Sequence, residues 1–311
     1  MSKRLKGKPF QTSPRGGFFF GILRVLGFLG VFFSPSGNRP LAAERLGSVS
    51  DGGQKTEGGI YELGVKQIVE ALAADSLQKA EGLILETIKL DPVRKSNAVL
   101  YQYLGEIHQR RGESEKALEA YTKGIELSST TDLLLSRGSL YLQLNNQDRA
   151  LMDYNKVLEA EPDNEEALFF RAFVLSSQRK YKDARTDYRH LLELNPMHED
   201  ARLGLAILNS KDGRPREAME QLDALVHFYP NHAKHYLARC GLYEQRKEYE
   251  KAKKDISMAL ELEPENPECY LTRASLYLAM KKKKLAQQDC KTAIRLGASP
   301  EEVASLISTI K

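Results

Sequence analysis

The sequence predicts an all-α solenoid of about seven helix-turn-helix repeats with a C-terminal capping helix. Three observations carry that expectation. An alanine recurs at Ala150, Ala184, Ala218 and Ala252, 34 residues apart each time. A proline follows each of them twelve residues later, at Pro162, Pro196, Pro230 and Pro264. Between these marks the apolar residues run at helical spacing in two groups.

Each mark has a physical reading. An alanine at one fixed phase marks a crossing where two helices approach too closely for a larger side chain. A proline at a fixed phase marks a helix end, because it lacks the amide donor and its ring clashes with the preceding turn. In the stretch 165–198 the apolar set is Leu168, the stem of Arg171, Ala172, Leu175, Tyr181, Ala184, Tyr188, Leu191 and Leu192. The polar break 176–180 splits that set, so one copy reads as two antiparallel helices.

The alanine series extends to Ala80, Ala117 and Ala286, with intervals of 37, 33 and then 34 four times. Seven copies therefore start near residues 61, 98, 131, 165, 199, 233 and 267 and fill 61–298. The first is degenerate, with Gly64 and Ile68 in the large and small slots, and the wider interval after it predicts a longer turn around 93–97. Residues 299–311 read as the capping helix, with Val303, Leu306, Ile307 and Ile310 on one side to cover the last repeat.

The register resembles the tetratricopeptide repeat family. That family has large, Leu, small and large residues at repeat positions 4, 7, 8 and 11, then Ala, aromatic, small and Pro at 20, 24, 27 and 32. The copy from Ala98 matches with Tyr101, Leu104, Gly105, Ala117, Tyr121 and Gly124, and departs at His108 and Ser129. The copy from Thr131 gives Leu134, Gly138, Tyr141, Ala150, Tyr154 and Pro162. The copy from Ala233 gives Tyr236, Cys240, Tyr243, Ala252, Ala259 and Pro264, with Ile256 in the aromatic slot. Arginine at position 7 (Arg137, Arg171, Arg239, Arg273) is the commonest departure. The resemblance implies a right-handed solenoid that binds a peptide or helix in a groove lined by the first helix of each pair.

Residues 1–43 differ in composition from the rest of the chain. They hold seven basic residues and no acidic one; 46 basic residues less those seven leaves 39 against 42 acidic in the remainder. The positive net charge thus belongs to this leader. Its apolar segment 18–33, broken only by Arg24 and glycines and followed by Ser34, Ser36, Ala42 and Ala43, has the layout of a secretory signal peptide. An uncleaved anchor is the alternative, although sixteen residues are short for a span, which wants about twenty. Residues 44–60, rich in Gly and Ser, read as a flexible linker.

No catalytic constellation appears: no nucleophile beside a base, no phosphate loop and no metal-ligand spacing with cysteine. Cys240 and Cys290 fall on packing positions, and an odd cysteine count without close pairs gives no disulfide framework. His227, His232 and His235, with His198 one repeat earlier, read as solvated residues around a turn, so no metal and no cofactor is expected.

Family positions 2, 5, 9 and 12 place Leu135, Phe169, Phe173, Leu203, Ile207 and Leu237 along the implied groove, an apolar lining suited to an amphipathic helix or peptide. The family's chaperone-tail-binding members need Asn at positions 6 and 9 and Lys at 5; no copy has any of these. Turns inside the later repeats are basic, Lys281 to Lys284 among them, and turns between repeats are acidic. With few aromatics among the basic residues they read as solvated turns, and no nucleic acid is expected. The expectation is a non-catalytic scaffold for a protein or peptide partner, exported (periplasmic or extracellular) or membrane-anchored through 18–33. The alternative is an intracellular adaptor whose uncleaved anchor brings partners to a membrane surface.

Overall fold

The computed structural model describes residues 57–308, so the leader, most of the linker and Ile310 lie outside the described residues. The described chain is helical throughout, and successive helices pair. Two compact units result, 57–196 and 197–308. The first holds α1 (Glu57–Ala73), α2 (Leu77–Leu90), α3 (Asn97–Arg110), α4 (Ser114–Leu127), α5 (Thr131–Gln143), α6 (Gln147–Ala160), α7 (Glu165–Ser177) and α8 (Tyr181–Leu194). The second holds α9 (Glu199–Lys211), α10 (Pro215–Phe228), α11 (Ala233–Gln245), α12 (Tyr249–Leu262), α13 (Pro267–Ala279), α14 (Lys283–Arg295) and α15 (Pro300–Ser308). Among the described residues no helix is long and apolar enough to cross a membrane.

The alanine and proline signals do what their chemistry requires. All seven series alanines, Ala80 to Ala286, are at most 1% exposed. The second helix of a repeat stops two residues before its proline, at Ala160, Leu194, Phe228 and Leu262. The residue between is extended, as the proline ring demands of its predecessor (Glu161 φ −130°, Asn195 φ −134°).

Within a repeat the two helices are joined by one turn, seven times over. Its third-from-last helical carbonyl accepts from the residue after the left-handed one, as in Asn146 N to Tyr141 O (2.7 Å) and Lys180 N to Leu175 O (2.8 Å). The left-handed residue is glycine in two copies, Gly112 (φ 74°) and Gly213 (φ 72°). Elsewhere it is Asp75, Asn145, Arg179, Lys247 or Lys281, with φ between 51° and 62°. The basic turns of the sequence are therefore local cap positions. Arg214, Arg246 and Lys251 among them are paired with Glu217, Glu248 and Glu248.

Repeats begin with side-chain caps, each accepting from an amide of the first turn: Thr130, Asn164, His198 and Asn266. This gives His198 a structural duty. The connection before α3 is residues 91–96, two longer than the four-residue 161–164, and α3 has fourteen residues against thirteen in α5 and α7, which together account for the 37-residue interval.

Arg171 does not pack by its stem alone. It grips Asp187 with two hydrogen bonds (2.8 and 2.7 Å), and Arg137, Arg239 and Arg273 do the same with Asp153, Asp255 and Asp289. The partner always lies sixteen residues on, in the second helix of the same repeat. Three of these arginines also reach back to the previous second helix, at Thr122 (3.1 Å), Asn155 (3.2 Å) and Asp223 (2.9 Å). A planar fork grips the carboxylate with two parallel bonds and keeps a donor for the second partner.

Two expectations need correcting. Helix α1 starts at Glu57 and takes in the last residues of the predicted linker, ahead of the turns anchored by Tyr61, Val65 and Ile68. In α15, Val303 and Leu306 are buried against Leu271, Ala274 and Cys290, but Ile307 is 39% exposed: a nine-residue helix lying on α14 buries one narrow stripe.

Candidate functional site

In the first unit the first helices α3, α5 and α7 present family positions 2, 5, 9 and 12. Position 5 is a filled slot: Gln102 and Leu135 are 8% exposed there. Phe169 occupies the same slot in α7 but is only half-buried. Its ring meets Phe170 edge-on at 5.4 Å and Tyr188 at 6.1 Å. Phe173, one helical turn on, is also half-buried, as is Leu142 of α5. Over α3 the lining is polar, with Gln102 donating to Glu106 (3.2 Å) and Gln109 to Gln143 (3.1 Å).

In the second unit Leu203, Ile207 and Leu237 are interior, at 7%, 4% and 5% exposure. Leu203 and Ile207 belong to a cluster with Met219, Leu222 and Leu225, and Leu237 to one with Cys240 and Ile256. The six residues named from the sequence thus divide into four core residues and the pair Phe169 and Phe173. Glu244, at position 12 of α11, accepts from the Ser275 hydroxyl at 3.1 Å. Burial pushes its carboxyl up to about 7 against that hydrogen bond.

A polar cluster sits where α9 and α11 begin. Glu199 Oε1 lies 3.0 Å from His232 Nδ1, 3.1 Å from His235 Nε2 and 2.5 Å from Lys234 Nζ, and Lys234 also reaches Asp200 at 3.3 Å. His232 is exposed as expected; His235 is not solvated, since its side chain is 0% exposed. It occupies repeat position 3, which packs between neighbouring repeats: in the other copies from the second onward it holds Leu100, Leu133, Ala167, Ala201 and Cys269, all fully buried, while Leu63 of the degenerate first copy is exposed. Neither ring nitrogen of His235 makes a well-aligned hydrogen bond: its 3.1 Å approach to the carboxylate and its contact with the Tyr229 backbone both fall short of that geometry. Burial, outweighing the attraction of Glu199, pulls its pKa down to about 4, so the ring is neutral at pH 7. His227 is elsewhere engaged, edge-on to Phe228 at 5.2 Å.

Comparison with known proteins decides the family. Models described as tetratricopeptide repeat match residues 98–131, 131–164, 175–240 and 267–297. The chain belongs to the tetratricopeptide repeat family. A tetratricopeptide repeat protein from Parabacteroides merdae is similar over 80% of this chain and 98% of its own, with 28% identity and a TM-score of 0.68. Pseudomonas aeruginosa PilF shares the fold at 19% identity, a TM-score of 0.55, and coverage of 69% of this chain and 98% of that one. Among curated relatives, a UDP-N-acetylglucosamine–peptide N-acetylglucosaminyltransferase of Giardia intestinalis is 33% identical over 89 residues, covering 26% of this chain and 6% of that protein. The BBSome complex member BBS4 of Bos taurus is 32% identical over 87 residues, covering 28% of this chain and 17% of that protein. The chain thus spans under a fifth of either curated relative.

For a tetratricopeptide repeat chain, two features escaped the sequence reading. The arginine grip was encoded, because copies with Arg at position 7 carry Asp at position 23 and the copy with Leu104 carries Ala120 instead. His235 was encoded too, as a histidine at a position otherwise filled by Leu, Ala or Cys.

Proposed function

We propose that the protein is a non-catalytic scaffold that holds a protein partner, a peptide or amphipathic helix, on the face lined by its first helices, with Phe169 and Phe173 as its contact residues. The observation that carries this is the pair itself: two phenylalanines one helical turn apart, both partly in water, with Phe169 at a position where leucine is interior. Partly exposed aromatic surface suits a contact site, and rigid apolar rings are efficient anchors for an apolar helix face. Leu135 flanks them from α5 as a filled wall; Leu203, Ile207 and Leu237 give the second unit its packed equivalent positions.

In full-length protein, Phe169→Asp with Phe173→Asp is expected to abolish crosslinks from the native cell that map to 131–177, with helicity by circular dichroism unchanged. Undiminished crosslinking there would overturn the reading. The basic leader and apolar segment 18–33 support export or membrane anchoring. An intracellular adaptor with an uncleaved anchor is the second reading, favoured by the absence of an Ala-x-Ala pattern in residues 34–44. Mass spectrometry of the amino terminus separates them: a start between Ser34 and Glu44 is expected for export, an intact leader for the anchor.

A further inference from the structure

We propose that Glu199, His232 and His235 form a binding site for a divalent transition-metal cation of the zinc class, bridging the starts of α9 and α11. Their ligand atoms all lie within 4.8 Å of one another. The two nitrogen-to-oxygen separations of 3.0 and 3.1 Å are close to the spacing of about 3.3 Å that a tetrahedral ion with bonds near 2.0 Å imposes on its donors. Two imidazoles and one carboxylate suit zinc, cobalt or nickel and not magnesium or calcium, which take oxygen.

Proximity alone would not carry this; His235 does. A fully buried imidazole with no well-aligned hydrogen bond is costly, and native proteins rarely leave such a group unexplained. The position is apolar in the other copies named above, so packing does not call for it. Its Nε2 faces the one carboxylate that an exposed histidine also faces. The surroundings hold both rings: Tyr229 stacks on His232 at 5.7 Å and meets His235 edge-on at 5.8 Å, and its hydroxyl is fixed to the Met197 carbonyl. Supporting contacts of this kind orient metal ligands.

Lys234 sits on the same carboxylate oxygen and is the cation to be displaced. It has somewhere to go, since Asp200 already contacts it. The ion would complete its coordination with water and would staple two consecutive repeats through their first helices.

The test uses full-length protein stripped with a chelator and titrated separately with Zn²⁺, Co²⁺ and Mg²⁺ by calorimetry and thermal melting. Expected are one Zn²⁺ or Co²⁺ per chain, a melting temperature raised by several degrees, a tetrahedral Co²⁺ absorption band and no response to Mg²⁺. His232→Ala, at an exposed position that leaves the fold intact, should weaken Zn²⁺ at least tenfold, and Lys234→Gln should tighten it. A melting temperature unmoved by Zn²⁺ would overturn the site. So would Zn²⁺ affinity that survives Glu199→Gln combined with His232→Ala, which would place the ion elsewhere.

Discussion

Arg137→Leu is expected to cost about 3–5 kcal/mol of stability, the usual penalty for leaving one partner of a buried ion pair alone. The carboxylate it would strand, Asp153, is 2% exposed and is gripped by both arms of the guanidinium. Adding Asp153→Ala should recover most of the loss. Exchanging both charges for apolar groups removes the desolvation cost together with the attraction, and often comes out near neutral. The same unit contains the control: its second repeat carries Leu104 and Ala120 at these positions, with Leu104 6% and Ala120 3% exposed. Urea unfolding of the single and double variants measures the difference. A single variant within about 1 kcal/mol of wild type would show the pair to be exposed in solution, where ion pairs of that kind contribute so little.

Gly105→Ala is the second large effect, expected at about 2–3 kcal/mol from overpacking. A methyl group there would lie 2.3 Å from the Tyr121 ring, and Tyr121 is 0% exposed with its hydroxyl donating to Gln109 at 2.9 Å. The ring has no room to retreat without giving up that hydrogen bond. Gly82, inside α2, has nothing within 4 Å of the added atom, so the same substitution there should stabilise by about 0.5–1 kcal/mol through helix propensity alone. Opposite signs for one chemical change separate packing from propensity. Thermal melts of the two variants check it, and a Gly105→Ala protein as stable as wild type would mean that Tyr121 can adopt the placement of Tyr188, which coexists with Ala172.

Much of the fold was legible because it is written in local chemistry and written repeatedly. Helices α5, α7, α9, α11 and α13 begin at 131, 165, 199, 233 and 267, where the alanine and proline register puts them. The boundary at residue 57 was less legible, since two glycines there disfavour helix and only the anchors further along hold it. Side-chain fate was legible only where one residue type has one role. Leucine at position 5 looks the same whether it lines a surface or fills a core, and contact with the neighbouring repeat settles that. The arginine grip joins residues sixteen apart on different helices, a pairing that helical periodicity does not display. His235 was misjudged for the same reason: its neighbours at the turn, His232 among them, are exposed, while its own position points into the stack.

All three cysteines, Cys240, Cys269 and Cys290, are buried in the second unit. Burial drives the first far above the ordinary thiol range and the second up to about 12, so almost no thiolate is present to react. In the folded second unit Cys240 and Cys269 are therefore poor targets for thiol oxidants and alkylating agents. Any alkylation of these sulfurs is a timestamp of the moment the second unit opens, and three built-in reporters spare that measurement any engineered label.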